Sequence, residues 1–222
     1  MEEIGIIVGT SLFGAEIKGE EEIVNTPHGK VSLLKTENAF LIQRHGKNTP
    51  PHKINHHANI YALKEKGVKQ IIGLGSTGSL KLDLKPPTLV IPEGYINFWE
   101  LSGYDHEKIP RFNSNLREKI KKACEKSEIK TYDKGIYAQT QGPRLETEAE
   151  IRLLKDYAEI VGMTISAEAD TAKEFGLEYA CLCSVDNYCN GITEEPLTYE
   201  QILANAKNTQ SEIEKILGEL IK

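Results

Sequence analysis

Cysteine is scarce in this 222-residue chain: Cys124, Cys181, Cys183 and Cys189 are the full set. So few thiols, three of them crowded into one stretch, exclude a disulfide framework and point to a reducing compartment. Cys181 and Cys183 fall on one face of an alternating strand, and no second pair stands at zinc-ligand spacing, so packed core thiols are expected. No apolar run approaches the roughly 20 residues of a membrane-spanning helix. Met1-Glu2-Glu3-Ile4 runs straight into a strand pattern, without the basic region and apolar stretch of a signal peptide, which predicts a cytoplasmic protein. Positive charge is also short. A net charge of -6 and a pI near 5.6 exclude a global field for nucleic acid, so an anionic ligand must be held by a few local donors. Only five of the 27 basic residues are arginine, so an Arg in a glycine-rich loop stands out. The surplus of Lys and Glu fits a heat-adapted source.

What is present is an ordinary globular composition, 39% hydrophobic with mean hydropathy -0.40, which predicts one domain over residues 1–222. Strand-like runs recur at Ile4–Val8, Val31–Leu34, Phe40–Gln43, Gln70–Leu74, Thr88–Ile91, Gly135–Gln139, Ile160–Met163 and Tyr179–Val185. Helical patterns lie between them: Ile54 to Gly67, the basic amphipathic Leu116–Ser127, Glu148–Tyr157, and Ala167–Phe175 closed by Gly176. Thr198 with Gln201 forms a capping box opening a last helix, with Ile202, Ala206, Ile213, Ile216, Leu217 and Leu220 at helical spacing. Alternating strands and helices imply a three-layer α/β protein with a mostly parallel or mixed central sheet flanked by helices. Ligands in such folds gather at the carboxyl ends of strands.

Four loops and two strand ends fit that rule. Gly9-Thr10-Ser11 follows the first strand, with small residues whose amides and hydroxyls can face phosphate oxygens. Arg44-His45-Gly46 follows another, offering a planar fork to an oxyanion. Gly73-Leu74-Gly75-Ser76-Thr77-Gly78 spells G-x-G-x-x-G, but Leu80–Pro87 reads as extended chain and opens no helix, so a tight turn around a small anion is expected instead of a dinucleotide site. Gln141–Thr147 precedes a helix and carries Glu146. Gly162-Met163-Thr164 and Asp186-Asn187-Tyr188 end strands; an amide there can read a heterocycle with paired donor and acceptor sites. His52, His56 and His57 have no carboxylate in a ligating pattern beside them, so surface or interface histidines and no metal are expected.

Taken together these residues resemble the trimeric purine nucleoside phosphorylases and methylthioadenosine phosphorylases. Arg44-His45-Gly46, Pro51–Leu63 and Gly78-Ser79-Leu80 carry the likeness in the first half. Gly142–Glu150, Gly162-Met163-Thr164 and Glu168-Ala169 carry it in the second, in collinear order over almost the whole chain. The resemblance implies the single-domain phosphorylase fold and phosphorolysis: a purine nucleoside and inorganic phosphate, with no cofactor, give the base and a pentose 1-phosphate. It implies phosphate held by Thr10, Arg44, the backbone at His45 and Ser76, and Thr164, with Met163 against the sugar. The base would meet Glu146, Asn187, Tyr188 and Cys189, with Asn187 and Glu146 as the catalytic pair and Tyr199 facing the 5′ substituent. The likeness departs in two places. The loop after His45 is short and lacks a histidine common in the family, and Gly75 stands where Thr or Ser is usual.

The base-side pair points to 6-oxopurines. Methylthioadenosine phosphorylases carry Asp at the position aligned with Asn187, whereas this chain has Asn there together with Glu146. An Asn amide can donate to O6 while its carbonyl accepts a proton at N7, and a carboxylate accepts from N1–H but is repelled by the bare N1 of adenine. Inosine, guanosine and 5′-methylthioinosine are the expected substrates. The likeness also implies a homotrimer or hexamer, with segments near His106 and Phe112 as loose matches for a neighbour's contribution. Competing readings are a methylthioadenosine phosphorylase, a non-catalytic nucleoside-binding protein of the same fold, and a nucleosidase using water.

Overall fold

The computed structural model describes residues 4–12, 18–46, 48–99, 109–194 and 198–221, with all side chains except those of Ser11, Tyr199, Glu200 and Leu203. In chain order, β1 (Ile4–Val8), β2 (Glu20–Thr26), β3 (Gly29–Lys35) and β4 (Ala39–Gln43) precede α1 (His56–Glu65). Next come β5 (Gln70–Ser79), β6 (Thr88–Val90), β7 (Gly94–Ile96), α2 (Ser114–Lys126), β8 (Thr131–Tyr132) and β9 (Ile136–Gln139). Then follow α3 (Glu148–Leu154), β10 (Ile160–Gly162), α4 (Ile165–Glu174), β11 (Glu178–Tyr188) and α5 (Tyr199–Leu220).

One mixed sheet holds these strands in the order β2-β3-β4-β1-β5-β10-β9-β7, with β11, β6 and β8 branching from β5. Side chains alternate across it. Ile7, Ile71, Cys181 and Cys183 pack to one side with Ala58 and Leu63 of α1 and Ile165 and Ala169 of α4. Ile6, Val8, Ile72, Leu74, Ala180 and Leu182 pack to the other with Leu116 and Ile120 of α2 and Ile213 and Ile216 of α5. Both faces of the central strands are therefore covered, which is why β1 reads as an unbroken apolar run. The three layers are those expected from the sequence.

β5 is the hub of the sheet. β11 runs parallel along one of its edges from Gln70 to Ser79. On the other edge β1 pairs with Ile71, Ile72 and Gly73, and antiparallel β10 pairs only with Gly78 and Ser79. Among the described residues, those between, Leu74 to Thr77, have no strand partner on that edge, and the carboxyl ends of β1 and β4 part from β5 there. That divergence makes room for a site.

The glycine-rich stretch is therefore strand rather than the tight turn expected after Leu74. Its glycines answer to packing. A Cβ on Gly73 would sit 1.8 Å from the Tyr179 hydroxyl. Leu80 to Pro87 forms bends and a turn rather than extended chain. β2 escaped the hydrophobic pattern because it is an outer strand of Glu20-Glu21-Glu22 and alternating partly exposed residues, paired among the described residues to β3 alone. The four cysteines are free and buried.

Candidate active site

A cavity of about 290 Å³ opens at the divergence of β1 and β5. Thr10, Arg44, His45, Ser76, Glu146, Met163, Thr164, Asn187 and Cys189 all line it, so nine of the residues singled out from sequence meet on one wall system. Tyr188 does not: its hydroxyl donates to the Leu82 carbonyl at 3.0 Å, on an exposed face away from the lining. The side chain of Tyr199 and all of His106 lie outside the described residues. Phe112 is buried within its own chain, its ring 4.9 Å from that of Tyr95, so it is not presented to a neighbour.

Arg44 is the deepest cation of the wall. Its Nε and Nη2 bind Glu168 at 2.6 and 3.0 Å, and Nη2 also reaches the Ile7 carbonyl at 3.3 Å. Nη1 donates to the carbonyl of Leu74, the first residue of β5 beyond its pairing with β1. The fork expected to grip an oxyanion thus faces a carboxylate, and of its five N–H groups one on Nη1 is left for a ligand. Burial alone would lower the Arg44 pKa, but the charge and hydrogen bonding of Glu168, with smaller help from Tyr179 and Tyr137, together outweigh it and the net shift is upward. Gly9 is required here, because a Cβ would lie 2.3 Å from Nη1 of Arg44. His45 bonds the Thr49 carbonyl through Nδ1, and burial lowers its pKa, so it stands neutral beside Arg44.

Thr164 enters α4 as its N-cap without spending its side chain on the helix. The helix amides are satisfied from β9 instead. Tyr137 Oη accepts from the N–H groups of Thr164 and Ile165, and Gln139 Oε1 accepts from those of Ser166 and Ala167. Tyr137 and Gln139 are thus the supports that free the Thr164 hydroxyl for the cavity, and the chain pattern alone gave no sign of them. His56, expected at the surface or an interface, is buried at the start of α1 with Nδ1 unpartnered, because α1 packs against α4 behind Glu168.

The remaining wall is polar and specific. Glu146 is buried, accepts from the Thr140 hydroxyl at 2.5 Å, and its carbonyl is held by Asn190 at 2.8 Å. One carboxylate oxygen is therefore tied back while the other is available to a ligand donor. Asn187 is half-buried, and its amide nitrogen donates to the Tyr188 carbonyl at 2.9 Å. Ile202 of α5 and Val161 of β10 add apolar lining that the sequence reading did not single out. No group of three or more His, Cys, Asp or Glu side chains suits a metal ion among the described residues.

The phosphorylase superfamily profile matches residues 3–222. The chain belongs to that superfamily. Among curated phosphorylases, a probable 6-oxopurine nucleoside phosphorylase of Archaeoglobus fulgidus is 42% identical, covering 99% of this chain and 96% of the relative. A probable S-methyl-5′-thioinosine phosphorylase of Methanocaldococcus jannaschii is 40% identical over 98% of this chain and 91% of its own length. An S-methyl-5′-thioadenosine phosphorylase of Pyrococcus furiosus is 32% identical, covering 100% and 92%. The phosphorylase fold itself is matched by methylthioadenosine phosphorylase from Schistosoma mansoni in complex with adenine, with TM-score 0.88, 24% identity, and 100% and 91% coverage.

Proposed function

We propose that this phosphorylase cleaves 6-oxopurine nucleosides (inosine, guanosine and 5′-methylthioinosine) with inorganic phosphate, as a step of cytoplasmic purine salvage. The observation that carries the reading is that Glu146 and Asn187 line the same cavity as Thr10, Arg44, Ser76 and Thr164. In phosphorolysis the C1′–N9 bond breaks, its electron pair moves into the purine, and a phosphate oxygen bonds to C1′. Positive charge builds on the sugar and negative charge on the base. Phosphate beneath C1′ stabilises the first, and donors to O6 and N7 stabilise the second.

In this scheme the Thr10 and Thr164 hydroxyls and the spare Arg44 N–H hold the anion, together with backbone at His45 and Ser76. Glu146 accepts from N1–H through its free oxygen, and Asn187 turns from the Tyr188 carbonyl to the base. Cys189 packs beside the ring; burial raises its pKa, so it stays a neutral thiol. Ile202, one turn into α5, supports acceptance of a 5′-methylthio group as well as a hydroxyl.

A homotrimer or hexamer is part of the proposal. Phe98, Trp99, Leu153 and Tyr157 are exposed around a second cavity of about 640 Å³ that shares Glu146 with the first. An apolar patch beside a site is the usual mark of a subunit contact.

The methylthioadenosine reading has support in the Pyrococcus furiosus relative. Release of base from inosine and adenosine, with and without phosphate, separates these readings. Strict phosphate dependence with inosine preferred is expected. Adenosine preference would overturn the substrate class, and equal rates without phosphate would overturn phosphorolysis.

A further inference from the structure

Asp186 is the residue that a bulge in β11 drops from register. Val185 pairs with Thr77 and Asn187 with Gly78, and Asp186 between them has no partner on β5. A bulge re-aims consecutive side chains. Here Asn187 lines the cavity while Asp186 is fully buried behind it. Its Oδ2 accepts from the hydroxyls of Ser76 and of Ser184, the latter at 3.2 Å. Its Oδ1 is buried without a hydrogen-bond partner, and its carbonyl accepts from Asn205 of α5 at 2.8 Å.

Ser76 lines the cavity, and a hydroxyl has a single proton to give. With Asp186 ionised, that proton goes to Oδ2 and the Ser76 lone pairs are left for the cavity, a poor arrangement for an anion. With Asp186 protonated, an O–H on Oδ2 can donate to Ser76 Oγ, which frees the serine proton. A proton on Oδ1 would have no acceptor, so the Oδ2 position is favoured. Ser184 keeps an acceptor in either state, because its hydroxyl also reaches the Gly75 carbonyl at 3.3 Å.

We propose that Asp186 is a positioning residue that sets the direction of the Ser76 hydroxyl, so that the cavity gains a hydroxyl donor for a phosphate or sulfate dianion only while Asp186 carries a proton. The inference rests on the phosphorylase reading for the place of the anion. Gly75 has no hydroxyl of its own and that of Thr77 donates to the Ser184 carbonyl at 2.8 Å, which leaves Ser76 as the side-chain donor from this part of β5.

Burial raises the Asp186 pKa to about 6 against the opposing pull of the Ser76 and Ser184 hydroxyls. The groups around it are neutral. β5 presents Ser76 and Thr77, β6 pairs Thr88 alongside Val185, and α5 presents Asn205. The charged or titratable groups of the cavity are His45, Glu146, Cys189, whose thiol burial keeps neutral, and Arg44, the last neutralised by Glu168 of α4. Lys207 of α5 is exposed, and α2 approaches the far end of β11, where Asn113 bonds Tyr179. Proton and dianion then favour each other's binding reciprocally.

Sulfate is the probe, because unlike phosphate it does not titrate between about pH 5 and about pH 8. Calorimetric titration of the full chain should show sulfate affinity falling about tenfold across that range. In Asp186→Asn the amide donates permanently to Ser76 Oγ, so affinity should stay at the acid value and lose its slope. In Ser76→Ala it should be flat and weak. The KM for phosphate, expressed per concentration of its dianion, should follow the same three patterns. A flat wild-type profile, an unchanged slope in either variant, or Asp186→Asn as weak as Ser76→Ala would overturn the inference. The phosphorylase reading fails separately, by absence of phosphate-dependent base release even where sulfate binds with the expected slope.

Discussion

Arg44 and Glu168, 124 residues apart in sequence, form a doubly bonded ion pair with side chains only 1% exposed. The pair joins the carboxyl end of β4 to α4, and Tyr179 of β11 donates its hydroxyl to the same carboxylate at 2.5 Å. Arg44 then satisfies the Leu74 carbonyl where β5 parts from β1. Four elements, β4, α4, β11 and β5, are thus locked by one buried charge pair, and neither charge has water to fall back on. Glu168→Ala should therefore destabilise the protein by about 3 to 5 kcal/mol, since it strands a buried guanidinium. Urea denaturation measures this; a loss under about 1 kcal/mol would show that the pair does not lock the site.

Glu146 divides its carboxylate between the Thr140 hydroxyl and the cavity. Glu146→Gln replaces the N1–H acceptor with an amide whose donor end also competes for that place. Turnover of inosine, as kcat/KM, should fall roughly 10- to 100-fold with unchanged circular dichroism. Asn187→Asp acts on the other side of the ring and should shift preference from inosine towards adenosine. An inosine preference left intact in both variants would remove these two residues from the base contacts.

The legible and illegible parts of the molecule divide by distance along the chain. β1 and β11 could be read because both their faces are apolar, and the α5 start because Thr198 and Gln201 are adjacent turns of one capping box. The loops after β1, β4 and β10 could be placed because ligands collect at strand ends. What Arg44 does with its fork could not, since Glu168 arrives from a distant helix. The same holds for Tyr137 and Gln139, whose service to α4 depends on β9 lying beside β10. Asp186 was hidden differently. A bulge shifts the face of every residue beyond it, and strict alternation carries no mark of one.

His56 gives the fold a dependence on acid. It is buried behind the Arg44–Glu168 pair, and burial is the main cause that pulls its pKa from 6.5 down to about 4, with Glu168 opposing and Arg44 assisting. The unfolded chain binds this proton first, so the contribution is complete above the unfolded value and is lost as pH falls from 6.5 towards about 4. The size is up to roughly 3 kcal/mol. Thermal or urea unfolding across that window should give a shallower slope in His56→Phe than in wild type. Equal slopes would mean that His56 is not buried neutral.

The exposed aromatic side chains beside the site have a consequence for assembly. Phe98 and Trp99 are 78% and 59% exposed just after β7, and Leu153 and Tyr157 stand opposite on and after α3, across a cavity that also touches Glu146. Leaving such a cluster in water forfeits burial worth roughly 25 cal/mol per Å², and in a monomer nothing among the described residues covers it. A second copy of the chain would cover it and at the same time close the base side of the site. Leu153→Glu puts a charge in the middle of that contact without touching the first cavity. Wild-type mass in solution by light scattering should be a multiple of the 24.8 kDa protomer, and the variant should shift towards a single protomer. Activity should drop with it, since Glu146 would then face solvent from the second cavity. A wild-type protein that is monomeric, or a Leu153→Glu variant with unchanged mass, would place the subunit contact elsewhere or remove it.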